Sequence, residues 1–352
     1  MSEIQSLPTN IATISELLTL SDSQYHIYDL GRRVDKVSKE QFKQIELNQL
    51  AYPYPSKGQA FIAIAFWQKI PSQPFLWFIK IPLDECGLLN QAARDHFLAI
   101  IIEALGSNIA VDPSEKQEQL LKSNPYHFTP SQYKLAALNS KLKLQLKQKS
   151  SEHLPLFLQY IAGNLTWGDW QNIGVQGISD FAVRINQEGN TKLLMKALPH
   201  IATEVLLPLC SALENEPLTI ELINSIINAY FEAEDKDNSL EIQLHLLRAL
   251  SSSCHQPHVN DFIKKLLKNE NLSEDILITL SGRCWLLWQK PEMLMSYLEY
   301  LVQIKNQPLF SIIFKDLVGI PTIRPNIFIC MRKPERSNEL AQAIGLLLTN
   351  SN

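Results

Sequence analysis

Cys254, His255 and His258, with Asp261 three residues beyond, form the one compact cluster of metal-capable side chains in this sequence. Zinc favours sulfur and nitrogen donors in a tetrahedral shell, and His255 and His258 share a face if a helix begins at His255. An ordinary reading competes. Pro257 marks a helix start, where polar residues gather anyway, and no second ligand pair of the kind structural zinc sites show is present. We expect no metal and no cofactor.

Asp235, Asp237 and Ser239 begin with the spacing of a calcium loop. The position for the sharp-turn glycine is Leu240 and that for the bidentate glutamate is Leu246, so the resemblance fails where the physics is strictest. The segment reads as a loop between helical units. Nucleotide and hydrolase fingerprints (GxGxxG, GxxxxGK[ST], GxSxG, HExxH) are absent from the sequence. His96, His127, His153, His200 and His245 lack a carboxylate or thiol at catalytic spacing and receive no role.

Other groups suit binding better than catalysis. Arg32 and Arg33 follow Gly31 at the end of a strand, near Tyr25, His26 and Asp29, and could hold an anion; ordinary surface is the alternative. Trp167 and Trp170 flank a Gly-Asp turn: exposed they would anchor a partner, and buried they would close the inner end of the helical region, the reading we favour. Trp67 closes an apolar strand and is a third aromatic contact candidate. Residues 131–151 carry Lys134, Lys141, Lys143, Lys147 and Lys149 with no acid, opposite Leu135, Leu138, Leu142 and Leu146. Without arginine or aromatic anchors, this reads as a connecting helix with its lysines in water, not a phosphate or membrane contact.

The elements that must carry these side chains divide the chain in two. At 352 residues it exceeds an ordinary single domain. Its 45% hydrophobic content supplies a full core, and a formal charge of -4 is too mild to require nucleic acid or an anionic membrane. Only 12 glycines leans the composition toward helix. Five scattered cysteines without a CxxC pair read as buried thiols in a reducing, cytoplasmic compartment. The N-terminus has neither a basic region nor a sustained apolar one, so no secretory signal is expected. The most apolar stretches, 97–105 and 201–213, are too short to span a bilayer.

Residues 1–106 read as a small α+β domain. A helix over 11–20 is followed by a strand at 25–30 and a helix capped by Ser38 that runs to about Leu50, where the Tyr-Pro-Tyr-Pro run stops it. Strands over 59–68 and 75–81 form an antiparallel hairpin across a turn containing Pro71, Ser72, Gln73 and Pro74, and a helix covers 88–105. Both strands are apolar on successive residues, so the sheet is expected to be covered on both faces or to lie in an interface. Residues 107–130, with Pro113, Pro125 and Pro130, read as a connector, and 131–352 as all-helical.

Within the helical part lies an internal repeat. Pro217, Pro257 and Pro291 are each followed by apolar residues six, nine and ten positions on, and the upstream sets Ala202/Leu206/Cys210, Ile242/Leu246/Leu250 and Ile276/Leu280/Cys284 each step by four. Offsets of 40 and 34 residues, with proline near the start of each second helix, describe helical hairpins too small to bury their own stripe, which must stack. The pattern resembles HEAT-like repeats, with Pro208 in place to kink one first helix.

The blocks YHIYDLGRRV, YPYPSKGQAFIAIAFW and FLWFIKIPLDECGLL resemble an uncharacterised bacterial family described as a domain of unknown function. That resemblance implies no activity. The sequence therefore predicts a small α+β domain followed by a HEAT-like helical-repeat array, acting as a non-catalytic interaction or scaffold protein through a protein partner or self-association. The alternative is an enzyme or ligand-binding protein with a pocket where the two parts meet.

Overall fold

The structure is a computed structural model and describes residues 11–68, 73–106, 109–110, 114–187, 189–233, 239–269 and 271–349. Pro71 and Ser72 of the expected hairpin turn, Pro113 of the connector, and Asp235 and Asp237 lie outside the described residues. By its internal contacts the chain divides into two compact units, residues 1–130 with 319–322 and residues 131–318 with 323–352.

In the first unit, α1 spans Ile14–Leu20, starting later than expected because Thr13 caps it by accepting the Glu16 amide at 3.1 Å. β1 (Gln24–Asp29) pairs with β2 (Asp35–Val37), a three-residue strand with no alternating pattern to announce it. α2 (Lys39–Glu46) opens on a capping box in which Ser38 and Gln41 satisfy each other's backbone amides. It ends short of Leu50, since Asn48 turns the chain with a φ of 56°. β3 (Gln59–Trp67), β4 (Phe75–Pro82) and α3 (Gln91–Leu105) complete the expected set.

The sheet is antiparallel, in the order β2-β1-β3-β4. One face, with Ile27, Ile62, Ile64, Phe66, Ile79 and Ile81, forms a single core with Leu17 of α1, Phe42 of α2 and Phe97 of α3. On the other face Tyr28, Ala63 and Ala65 are also fully buried, which is why β3 lacks polar alternation. The stretch expected as a connector holds α4 (Glu115–Lys122), and its residues 126–128 bond to β4. It thus belongs to the first unit.

The second unit has no strand among its described residues. Its helices are α5 (Gln132–Gln145), α6 (Leu154–Ile161), α7 (Val175–Ala182), α8 (Asn190–Ala197), α9 (Thr203–Leu213), α10 (Ile220–Glu232), α11 (Ser239–Ala249), α12 (Pro257–Leu266), α13 (Glu274–Arg283), α14 (Pro291–Gln303), α15 (Gln307–Gly319), α16 (Arg324–Arg332) and α17 (Asn338–Thr349). The helices α5 to α13 pack in two rows, and α14 packs on α16 and α17. α5 lies on α7, α7 on α9, α9 on α11 and α11 on α13, while α6 lies on α8, α8 on α10 and α10 on α12.

Most of the repeated apolar positions are buried in this packing, while Ala202, Ile227 and Leu267 are only half-buried. Leu206, Cys210, Ile242, Leu246, Leu250, Ile276, Leu280 and Cys284 are buried, as are Ile223, Ile226, Ile263, Leu266, Tyr297 and Leu301. Pro257 and Pro291 are the first residues of α12 and α14, where a missing N–H costs no hydrogen bond. Pro217 instead stands two residues before Thr219, the cap of α10. Trp285 and Trp288, in a short 3-10 turn before α14, are buried, and Trp288 stacks on Tyr297 at 4.3 Å.

Candidate functional site

The sequence-predicted candidates do not converge. Arg32 is buried, donates from Nε to the Pro55 carbonyl at 2.8 Å, and gives its own amide to Asp29. Arg33 pairs with Asp35 at 3.2 Å. Both guanidinium groups are therefore engaged in holding the β1–β2 turn, and the anion site has carboxylates for neighbours. Asp29 is the hub of that turn: it accepts the Gly31 and Arg32 amides and the Tyr52 hydroxyl, the last at 2.6 Å. Burial, then the Asp29 charge, drives the Tyr52 hydroxyl well above the usual phenol range.

Trp67 is half-buried with its ring edge-on to His26 at 5.1 Å. Desolvation, then Lys36 and Lys39, lowers the His26 imidazole to about 4. Trp167 and Trp170 are half-buried too. Trp167 stacks on His200 at 5.7 Å and meets Tyr160 edge-on at 5.3 Å, so it closes a packing seam between α6 and the loop before α9.

Cys254 points inward, with its Sγ 3.6 Å from the Leu250 carbonyl, while His255 and His258 face solvent. α12 begins at Pro257, not at His255, so His255 lies before the helix and the shared histidine face expected for a metal is not formed. Among the described residues no group of three His, Cys, Asp or Glu side chains is placed to hold a metal. Cys210 is buried and pushed up to about 12 by desolvation, a thiol held protonated; Cys86, expected to be buried, is exposed in the turn before α3. Lys141 of the basic helix bonds Glu216 at 2.7 Å, and Leu138 and Leu142 are in the core.

Sequence reasoning missed the buried carboxylates. Asp180 on α7 accepts Ser140 Oγ of α5 and the Ser151 amide, each at 2.7 Å. Glu214, at the end of α9, takes a two-pronged bond from Arg248 of α11, with Arg283 of α13 at 3.6 Å. Glu46 accepts the Ile14 and Ser15 amides and so caps α1; burial raises its carboxyl, against the pull of those bonds and of Arg94. Each joins elements that are distant in sequence. The only local signal is an acid standing in an otherwise apolar helical stretch.

Of the recesses among the described residues, two bear on function. One of about 270 Å³, lined by α10, α11, α12 and the start of α13, offers Gln243, Lys265, Asn269 and Asn271, which are hydrogen-bonding groups without a carboxylate. The other, about 180 Å³, lies along the outer edge of β4. It is walled by Leu76, Trp77, Phe78 and Ile79 of β4, Phe97 and Ile101 of α3, and Leu121 of α4, with Glu118, Lys122, Asn124 and His127 also lining it. Four consecutive strand residues line it, so it wraps the sheet edge instead of sitting on one face.

That edge is paired along part of its length. Pro82 accepts from Asn90, Lys80 donates to Tyr126, and Phe78 accepts from Phe128. The pairing stops where Pro130, two residues on from Phe128, has no N–H to offer. By the two-residue alternation of an antiparallel ladder, Leu76 also turns its N–H and C=O outward, and no described residue bonds to them.

Residues 9–348 match the family described as "Protein of unknown function (DUF3549)". The chain belongs to that family. No curated protein and no solved structure matches it. DUF3549 membership covers both units described above.

Proposed function

We propose that this DUF3549 protein is a non-catalytic interaction or scaffold protein whose residues 131–352 form a HEAT-like array, working in a reducing, cytoplasmic compartment. The observation that supports this most is the row packing of successive helices, α5 to α13 in one row and α6 to α12 in the other. Stacked hairpins of this kind generate extended surface and few enclosed chambers. The buried carboxylates add to the reading: Asp180 and Glu214 are occupied in tying neighbouring helices together.

The contact surface we assign is the exposed apolar set at the C-terminal end, Ile312 on α15, Phe328 and Ile329 on α16 and Leu346 on α17, of which Ile312 is 68% exposed. Exposed apolar side chains mark a contact site when they form one contiguous patch, the arrangement this reading requires of these four. Affinity capture from the native host with quantitative mass spectrometry, run on wild type and on Ile312→Glu/Phe328→Glu, tests it. A stoichiometric protein partner lost from the double variant supports the reading. No stoichiometric partner of either form, or turnover of a small molecule by the purified chain, defeats it.

A further inference from the structure

We propose that the outer edge of β4 is a docking site for an extended, uncharged segment of a partner protein. The segment adds as a strand at Leu76 and places one leucine-sized or aromatic side chain in the adjoining cavity. This site lies wholly in the first unit and is independent of the contact surface assigned to the second, so either can fail alone.

Three observations combine. The first is the edge at Leu76, which no described residue pairs: it offers one donor and one acceptor beside the point where Phe128 and Tyr126 stop pairing. A strand edge left open is a template for another chain, and proteins that use one read the added segment's backbone for affinity and its alternate side chains for specificity. The second is the cavity directly beside those groups. It is a half-open recess of about 180 Å³, room on the order of one aromatic ring or one leucine side chain. Trp77, Phe78 and Phe97 offer it aromatic surface.

The third is the looseness of the wall. α4 contributes Leu121 to the cavity, yet none of its residues is buried. α4 packs on α3 with Leu121 half-buried against the core, so an apolar anchor would complete the burial of Leu121. Glu118 and Lys122 on the same helix pair with each other at 2.8 Å, leaving the lining without net charge to attract an ionic group. A charged anchor is therefore disfavoured, and a small molecule would leave the backbone of Leu76 unused.

The test is selection of a random-peptide phage library on the full chain, followed by fluorescence anisotropy with the enriched peptide. Two variants are compared with wild type. Leu76→Pro removes the outward N–H, a change edge strands tolerate, and also takes the Leu76 side chain from the cavity wall, so it tests strand addition and lining together. Leu121→Trp fills the cavity from an exposed helix. Peptides sharing one apolar anchor, with affinity reduced about tenfold or more by either variant, are expected. If Leu76→Pro does not fold, as thermal melting will show, the Leu121→Trp arm decides alone.

Absence of any enriched sequence overturns the proposal, as does enriched binding indifferent to both variants. Indole binding that Leu121→Trp abolishes, without peptide enrichment, assigns a small-molecule site and overturns it. A dimer in sedimentation that Leu121→Trp dissolves assigns a second copy and does the same.

Discussion

Arg248 of α11 reaches across to Glu214 at the end of α9, its Nη2 lying 2.7 Å from Oε1, with the Glu214 side chain 2% exposed. The pair fastens one helical hairpin to the next at the same level as the apolar stripes. Breaking a buried pair is costly because one charge is stranded, whereas replacing both partners with apolar groups of similar volume is mild. Arg248→Met should cost about 3 kcal/mol, with Arg283 at 3.6 Å giving only partial relief. Glu214→Leu with Arg248→Met should return to within about 1.5 kcal/mol of wild type. Urea unfolding of the three variants measures the coupling.

Gly177 on α7 is a second joint. A Cβ there would lie 2.6 Å from the His153 carbonyl oxygen, a backbone atom that cannot step aside. Helix propensity alone would favour alanine by about 1 kcal/mol. The clash should reverse the sign, and Gly177→Ala should lose about 1–3 kcal/mol, read as a lower melting temperature.

Acid should weaken the first unit through His26. Its folded imidazole titrates at about 4 against 6.5 when free, so the neutral ring is favoured by folding. The associated stability is complete above pH 6.5 and is lost as pH falls from 6.5 toward 4. The ring is half-buried, and solvent screening holds the effect to about 1 kcal/mol. His26→Gln should flatten the melting temperature between pH 6.5 and 4, measured against a wild type that declines.

Alkali should act on the Asp29 turn. Because the Tyr52 phenol is raised far above its ordinary range, folding favours the protonated form and stability falls as pH climbs above 10. Tyr52→Phe should cost about 1–2 kcal/mol at neutral pH, since Asp29 keeps the Gly31 and Arg32 amides. The variant's melting curve should also be less sensitive to alkaline pH than that of wild type.

Local pattern revealed most of the architecture and little of the site. The strands at Gln59–Trp67 and Phe75–Pro82 were legible because continuous β-branched and aromatic residues between prolines allow little else. Helix stripes such as Ile276/Leu280/Cys284 were legible because a step of four is a helix face. β2 was not, because three residues with an aspartate and a lysine become a strand only when β1 supplies the partner.

The buried carboxylates were illegible for the same reason: Ser140 and Asp180 are 40 residues apart, and Glu214 and Arg248 are 34. Arg32, for which the sequence offered an anion site or ordinary surface, is turned inward by Pro55, a contact the sequence does not announce. The open edge at Leu76 depends on which segment returns to pair with β4 and on where Pro130 then falls. That is tertiary information.

Hydrogen exchange of the full chain with mass spectrometry, comparing wild type with Arg248→Met, tests the stacked-hairpin account most directly. The account predicts lost protection in α9, α11 and α13, a smaller loss in α7, and none in α1 to α3. Equal loss of protection across every helix from α5 to α17 would mean a single cooperative globule, and would contradict it.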